Sequence, residues 1–322
     1  MENAEKLPAE TPEDDGPKLG IFDDIPNLEY HRGKGISKSG LDLLNRSPLH
    51  FITAKRNPKP PTPAMIFGQA IHTLILEPDK FDEEFILMPE NAPRMPTELQ
   101  LNPKKGQAKP EHCNAKDWWD SWNAMSEGKI ILTDKAGENP FWQPGDWSRL
   151  HYMRDAVMAH PIASILLDPD QGIAEQSVYW IDDETKKLCK CRPDFRNTAH
   201  NVAVDLKSTT DASFTGFGKS VANFRYHVQD AYYRDGLHAV GATVSAFVFV
   251  AVEKDPPYAV ACYIVEKEAQ RIGRIQYQSN LHTYAECMAR DVWPGYPGTE
   301  SVFDPTIRDL AIAPWGLKGF VS

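Results

Sequence analysis

No apolar run in this chain approaches the roughly 20 residues needed to span a bilayer. The start, Met-Glu-Asn-Ala-Glu-Lys, lacks the basic region and apolar stretch of a secretory signal. A cytoplasmic protein with no membrane partner is the expectation. Cysteine is scarce and unpaired by spacing. Of Cys113, Cys189, Cys191, Cys262 and Cys287, only Cys189 and Cys191 lie close together. A lone C-x-C without a second pair does not make a structural zinc site, and an iron–sulfur cluster needs four thiolates. Reduced, buried thiols are expected instead, with no redox or metal role read for Cys189 and Cys191.

Positive charge is also in short supply. Against 45 Asp and Glu stand 35 Lys and Arg, a formal charge of −10. That balance argues against an anionic partner, because phosphate binding needs clustered cations. The deficit is local, however. Residues 1–30 hold nine acids and two lysines, leaving only −3 for the other 292 residues. With repeated Pro and few apolar anchors, 1–30 is expected to be an acidic disordered tail that takes no part in catalysis.

What the chain has is enough apolar material for a core, at 41% hydrophobic and 10% aromatic residues. One domain is expected over 31–322: a mainly helical part over 31–160, a catalytic α/β core over 161–290 and a C-terminal extension over 291–322. Ser37 caps a predicted helix that ends near Ser47-Pro48. Thr62-Pro63 opens another, from Ala64 to about Leu76. Residues 89–112, with five prolines and Lys104, Lys105 and Lys109, read as a long basic loop. Helices are predicted at 115–126 and, after a cap at Thr133, across 145–158. Strands follow at Ala174–Ile181, Leu188–Phe195 and Val202–Lys207. Next come a helix at about 224–240, strands at Thr243–Val252 and Tyr258–Val265, and a helix to about Arg290. The order implies a mixed α/β layer fold, a central mixed sheet flanked by helices.

In Val202-Ala203-Val204-Asp205-Leu206-Lys207 the apolar residues 202, 204 and 206 alternate with the rest. Asp205 and Lys207 therefore share one face of a strand with a greasy reverse side. If the preceding strand pairs across its short turn, Asp194 of Pro193-Asp194 lies near Asp205. Two carboxylates converging on an ammonium suit metal-assisted phosphodiester hydrolysis. Taken alone, Asp205/Lys207 also fits an ordinary surface ion pair. Pro169-Asp170 with Glu184-x-Lys186 matches on spacing, but Glu184 falls in a polar turn with no apolar strand before it.

Three other features stand in order along the chain. His72, in Gly68-Gln69-Ala70-Ile71-His72, sits on a mostly apolar helix, where core histidines are common. Glu175 opens an aromatic strand, where edge charges are common. Gln229 and Tyr233 share a helix face at i,i+4, as packing residues also do.

The sequence Gly-x3-His, acid before a strand, Pro-Asp, Asp-x-Lys, Gln-x3-Tyr resembles the PD-(D/E)XK nuclease superfamily. The branch is that of RecB-type nuclease domains and the phage and prophage exonuclease VIII (RecE) group. The segments closest to the latter are GISKSGLDLLNRSPLHF, FGQAIHTLILEP, GKIILTD, CKCRPDF, VDLKSTTDAS and YHVQDAYYRDGL. The likeness runs from about Gly35 to about Glu266.

The resemblance implies a restriction-endonuclease-like α/β core with a Mg²⁺ or Mn²⁺ site. Its ligands would be His72, Asp194, Asp205 and the main-chain carbonyl of Leu206. Lys207 would position the attacking water, and Glu175 would stand behind the ligands or contact a metal-bound water. Gln229 and Tyr233 would hold the DNA strand. Arg32 and Ser39 fit loosely the pair that meets a 5′-phosphate, although helix capping also explains the serine, and Lys104 and Lys105 could touch DNA. The acid before Leu206 is Asp where many members carry Glu, a change these branches tolerate. The implied activity is 5′-to-3′ digestion of linear double-stranded DNA ends, leaving 3′ single strands for recombination with an annealing protein, in the group's ring-shaped homo-oligomers. The alternatives are a RecB-like single-strand or flap nuclease and a catalytically silent DNA-binding protein on the same fold.

Overall fold

The structure, a computed structural model, describes residues 19–136, 145–296 and 303. The chain enters through strand β1 (Gly20–Phe22) and helix α1 (Asn27–Arg32). Residues 19–30 are thus built into the fold, which corrects the reading of 1–30 as one disordered tail; residues 1–18 lie outside the described residues. The acid count concealed specific anchors. Asp23 accepts a hydrogen bond from Gln176, the Ile25 carbonyl accepts one from Arg192, and Tyr30 is buried.

Helix α2 (Lys38–Arg46) starts at the Ser37 cap, and α3 (Pro48–Arg56) follows from a Ser47 cap. Thr62 caps α4 (Pro63–Leu76), whose proline at the first position lacks only an N–H that would have no helical partner. Then come α5 (Pro78–Glu84) and β2 (Phe85–Leu87). The predicted basic loop is shorter than expected. A Thr97–Gln100 capping box starts α6 (Glu98–Leu101), and Pro110 opens α7 (Pro110–Ser126). Strand β3 (Ile130–Leu132) pairs in parallel with β2. Helix α8 (Asp146–Ala159) follows the predicted 145–158 closely, with Gly145 rather than Thr133 at its cap position. Asp134, one residue further on, ties its first turn by accepting from both N–H and Oγ of Ser148.

After α9 (Ala163–Leu166) the predicted strand 174–181 is two strands, β4 (Gly172–Ala174) and β5 (Ser177–Ile181), in different sheets. They are divided at Glu175, which adopts a left-handed φ of 52°. The next predicted strand is likewise split, into β6 (Leu188–Cys191) and β7 (Phe195–Asn197), around Pro193. Strand β8 (Val202–Thr209) is followed by α10 (Phe214–Asn223), which hydropathy alone did not reveal, and α11 (Tyr226–Ala239), separated by left-handed Arg225. Strands β9 (Ala246–Glu253) and β10 (Val260–Tyr263) and the long α12 (Lys267–Arg290) complete the described elements.

The central sheet runs β10-β9-β8-β7-β4, with β8 and β9 parallel and the other pairs antiparallel. A second, antiparallel sheet orders β1-β5-β6. Alternation along β8 and β9 divides the interior into two apolar clusters. Val202, Val204, Leu206, Val248 and Val250 pack with α4 and α8, while Ala203, Phe247, Phe249 and Ala251 pack with α2, α11 and α12. Since α2 and α3 share a core with α11 and α12, the expected partition at residue 160 does not separate two packing units. Among the described residues no helix is long and apolar enough to cross a membrane.

Candidate active site

Pro193 carries no N–H, and β7 begins only at Phe195, so Asp194 stands where the ladder with β8 gives out. Its Oδ2 accepts from the Leu206 backbone N–H at 2.7 Å. The N–H and C=O of one strand residue point to the same side, so the Leu206 carbonyl also faces the Asp194 edge. Nδ1 of His72, from α4, lies 3.5 Å from the same carboxylate oxygen. The left-handed turn at Glu175 brings its N–H to the Asp194 carbonyl at 3.0 Å and swings its carboxyl inward. Ligand atoms of His72, Glu175 and Asp194 all lie within 4.8 Å of one another. A non-glycine residue in this backbone region is strained, and such strain gathers at functional sites.

Beside this group, on the α11 face of β8, Asp205 is 1% exposed. Its Oδ1 accepts from the Gln229 amide, and its Oδ2 pairs with the Lys207 ammonium. Burial pushes the Asp205 carboxyl up to about 6, helped by Asp194 and opposed by Lys207 and His72. Burial alone would lower the Lys207 ammonium; Asp205 and Asp194 outweigh it and raise it, so the charge is held. The ammonium also sits 5.0 Å over the Tyr226 ring. Burial and the charge of Asp194 raise Glu175 well above the usual carboxylate range, against a weaker pull from Arg192.

An imidazole and two carboxylates converging in a half-buried pocket suit a hard divalent cation. A cation would offset both the burial and the repulsion from Asp194 that raise Glu175, so the donor set fits. His72, Glu175, Asp194 and the Leu206 carbonyl are the groups that would hold the ion. Here the structure revises one sequence assignment. Glu175 converges with His72 and Asp194 instead of standing outside the ligand group, because the chain turns left-handed there. Asp205 lies beside this group, with Oδ1 accepting from Gln229 and Oδ2 facing the Lys207 ammonium but without a hydrogen-bond partner among the described residues.

Gln229, expected to hold DNA, is buried and directed at Asp205. Tyr233 packs edge-on against Phe247, 5.7 Å between centroids, at the border of the core. Arg32 ends α1 in solvent; Ser39 is exposed in the first turn of α2, 2.9 Å from the capping Ser37 hydroxyl. Lys104 and Lys105 are exposed between α6 and α7. No described contact joins these four to the cluster. The rival motif does not assemble: Asp170 lies exposed in a short 3-10 turn, and Glu184 pairs with His282 at the surface. Cys189 and Cys191 are free and buried, and burial pushes the Cys189 thiol up to about 12.

Sequence reading missed the cleft next to Lys207. It measures about 500 Å³ and is lined by Lys38, Asp42, Phe224, Arg225, Tyr226 and Gln229, among others. Lys38 donates to the Phe224 carbonyl at 2.6 Å and pairs with Asp42 at 2.6 Å. Arg225 reaches Asp42 at 2.9 Å and Asn280 at 2.8 Å. The i,i+4 spacing of Lys38 and Asp42 was the one readable sign.

Two of the solved structures similar to this chain are the following. One, a candidate exonuclease from Eubacterium rectale, is 13% identical, with a TM-score of 0.47 over 92% of this chain and 96% of that one. The other, SSO0001, is 14% identical, with a TM-score of 0.26 over 38% of this chain and 55% of that one. Among curated proteins none matches. Residues 37–304 match the family described as PDDEXK-like domain of unknown function (DUF3799), and with most of its length matched the chain belongs to that family of the PD-(D/E)XK superfamily.

Proposed function

We propose that this protein is a Mg²⁺- or Mn²⁺-dependent exodeoxyribonuclease that digests linear double-stranded DNA from its 5′ ends, leaving 3′ single strands for a recombination partner that anneals them. The observation that carries the reading is the buried Asp205–Lys207 pair beside the His72, Glu175 and Asp194 cluster. The bound cation would neutralise phosphate charge and acidify water. His72 and the carboxylates of Glu175 and Asp194 would hold it. Lys207 keeps its proton because two carboxylates face it, and it can orient the attacking water and offset charge on the phosphate. Gln229 fixes the Asp205 carboxylate so that the ammonium stays in place.

The test is digestion of a linear duplex labelled separately at each 5′ end, with and without Mg²⁺. Loss of the 5′ label as mononucleotide, abolished by Asp194→Ala and Lys207→Ala, is the expected result. A duplex that persists with the wild-type protein defeats the nuclease reading. Release from 3′ ends defeats the polarity alone.

A further inference from the structure

The rim of the cleft carries an aromatic ring that hydrolysis itself does not call for. Phe224 is 58% exposed, although burying such a side chain is worth about 1.5–3 kcal/mol. The ring lines the same cleft as Lys207. Its backbone is fixed from both sides. The Phe224 carbonyl is held by Lys38, and the following residue, Arg225, is kept at a left-handed φ of 54° by its bonds to Asp42 and Asn280. The ring itself stacks on Tyr226, with centroids 5.7 Å and planes 27° apart. Tyr226 stacks in turn on the buried Phe249 of β9, at 5.4 Å and 23°. A column of three rings therefore rises from the core and leaves its outermost member open at the cleft.

Charge at the cleft complements a nucleic acid. Lys38, Lys207 and Arg225 line it with Asp42 as the one carboxylate among the lining residues. A rigid π face beside cations accepts a nucleobase together with its phosphate, and it does so without reading sequence. Bases inside a duplex have both faces covered by their neighbours, so such a platform serves a strand that has left the helix.

We propose that Phe224 is the stacking platform for the nucleobase next to the phosphate presented to Lys207, so that the strand to be cut enters the cleft unpaired. The proposal rests on the nuclease reading and adds the form of strand that the site receives.

The experiment uses the full chain in Ca²⁺, with single-stranded oligonucleotides carrying 2-aminopurine at successive positions. Quenching is expected at one position. Phe224→Ala should lose that quench and weaken binding about 5- to 150-fold, the equivalent of roughly 1–3 kcal/mol per stacked base. Phe224→Trp should restore both, whereas Phe224→Leu, apolar but without a π face, should not. An unchanged melting temperature is expected, since the ring is exposed. Wild-type binding by Phe224→Ala, or rescue by Phe224→Leu, overturns the proposal. So does a change in self-association with DNA binding intact, which would make the ring a contact between copies. Binding is read without cleavage, so a wild-type protein that quenches but never hydrolyses DNA in Mg²⁺ defeats the nuclease reading and leaves the platform standing.

Discussion

Oδ2 of Asp194 accepts the backbone N–H of Leu206 at 2.7 Å, taking the place of a ladder bond just before β7 begins. The same carboxylate faces His72, so a structural bond and the candidate ligand group are joined in one side chain. Asp194→Ala should therefore do two things. It strands a buried N–H, a loss of about 1–3 kcal/mol that calorimetric melting without metal would register. It also removes a ligand, so Mg²⁺ or Mn²⁺ should raise the melting temperature of the wild type and not of the variant. Equal metal shifts in both proteins would remove Asp194 from the site.

Lys207→Met separates chemistry from ion binding. The ammonium holds down a buried Asp205 carboxyl already near 6, and its removal should leave Asp205 protonated at neutral pH. Hydrolysis should fall by about 10²- to 10³-fold, the range seen when one preorganised charge-stabilising group is lost. His72, Glu175 and Asp194 remain, so the metal-induced rise in melting temperature should persist. If that rise vanished with the activity, Lys207 would be needed for the ion site and not only for turnover.

Gln229→Leu tests whether this residue serves DNA or Asp205. Its amide is spent on Oδ1 of Asp205, and leucine would leave that oxygen without a donor. Turnover should drop while the affinity for DNA, measured in Ca²⁺, changes little. A fall in affinity with kcat preserved would restore the strand-holding role that sequence order suggested.

That last revision shows what the sequence could carry. Alternation in 202–207 set Asp205 and Lys207 on one face of β8, and Pro193-Asp194 brought the second acid beside it, because strand period and a short turn are local properties. Ser37, Thr62 and Pro63 marked helix starts for the same reason. The function of Glu175 was not legible. It depends on one left-handed residue inside a stretch whose aromatic pattern reads as continuous strand. Nor was the burial of Tyr30, whose contacts with Lys190 and Arg192 span more than 150 positions. Phe224 and Arg225 fell at the start of the helix predicted at about 224–240, since the left-handed joint that exposes the ring is held by Asp42 and Asn280 from other helices.

Asp230, one position after Gln229, offers a pH test of the scaffold. It is fully buried on α11, with Oδ2 accepting from Gln270 at 3.3 Å and Oδ1 3.8 Å from Nε of Arg234, too far for a hydrogen bond. Burial pushes the carboxyl up to about 7; Arg234, Gln270 and Arg274 oppose this, and Asp235 adds to it. In the unfolded chain the group titrates near 4. Between about pH 4 and pH 7 the native state therefore binds more protons than the unfolded state, and stability falls as pH rises through that window. One such group contributes at most about 1.4 kcal/mol per pH unit, a few kcal/mol across the window. Asp230→Asn removes the titration while keeping the shape. Other acids contribute to the wild-type curve, so the informative quantity is the difference between the two proteins in urea unfolding from pH 4 to 8. The variant should be close to wild type at pH 4 and increasingly the more stable as pH rises. A difference that stays constant with pH would mean that Arg234 and Arg274 neutralise the carboxylate in the folded protein as fully as water does in the unfolded one.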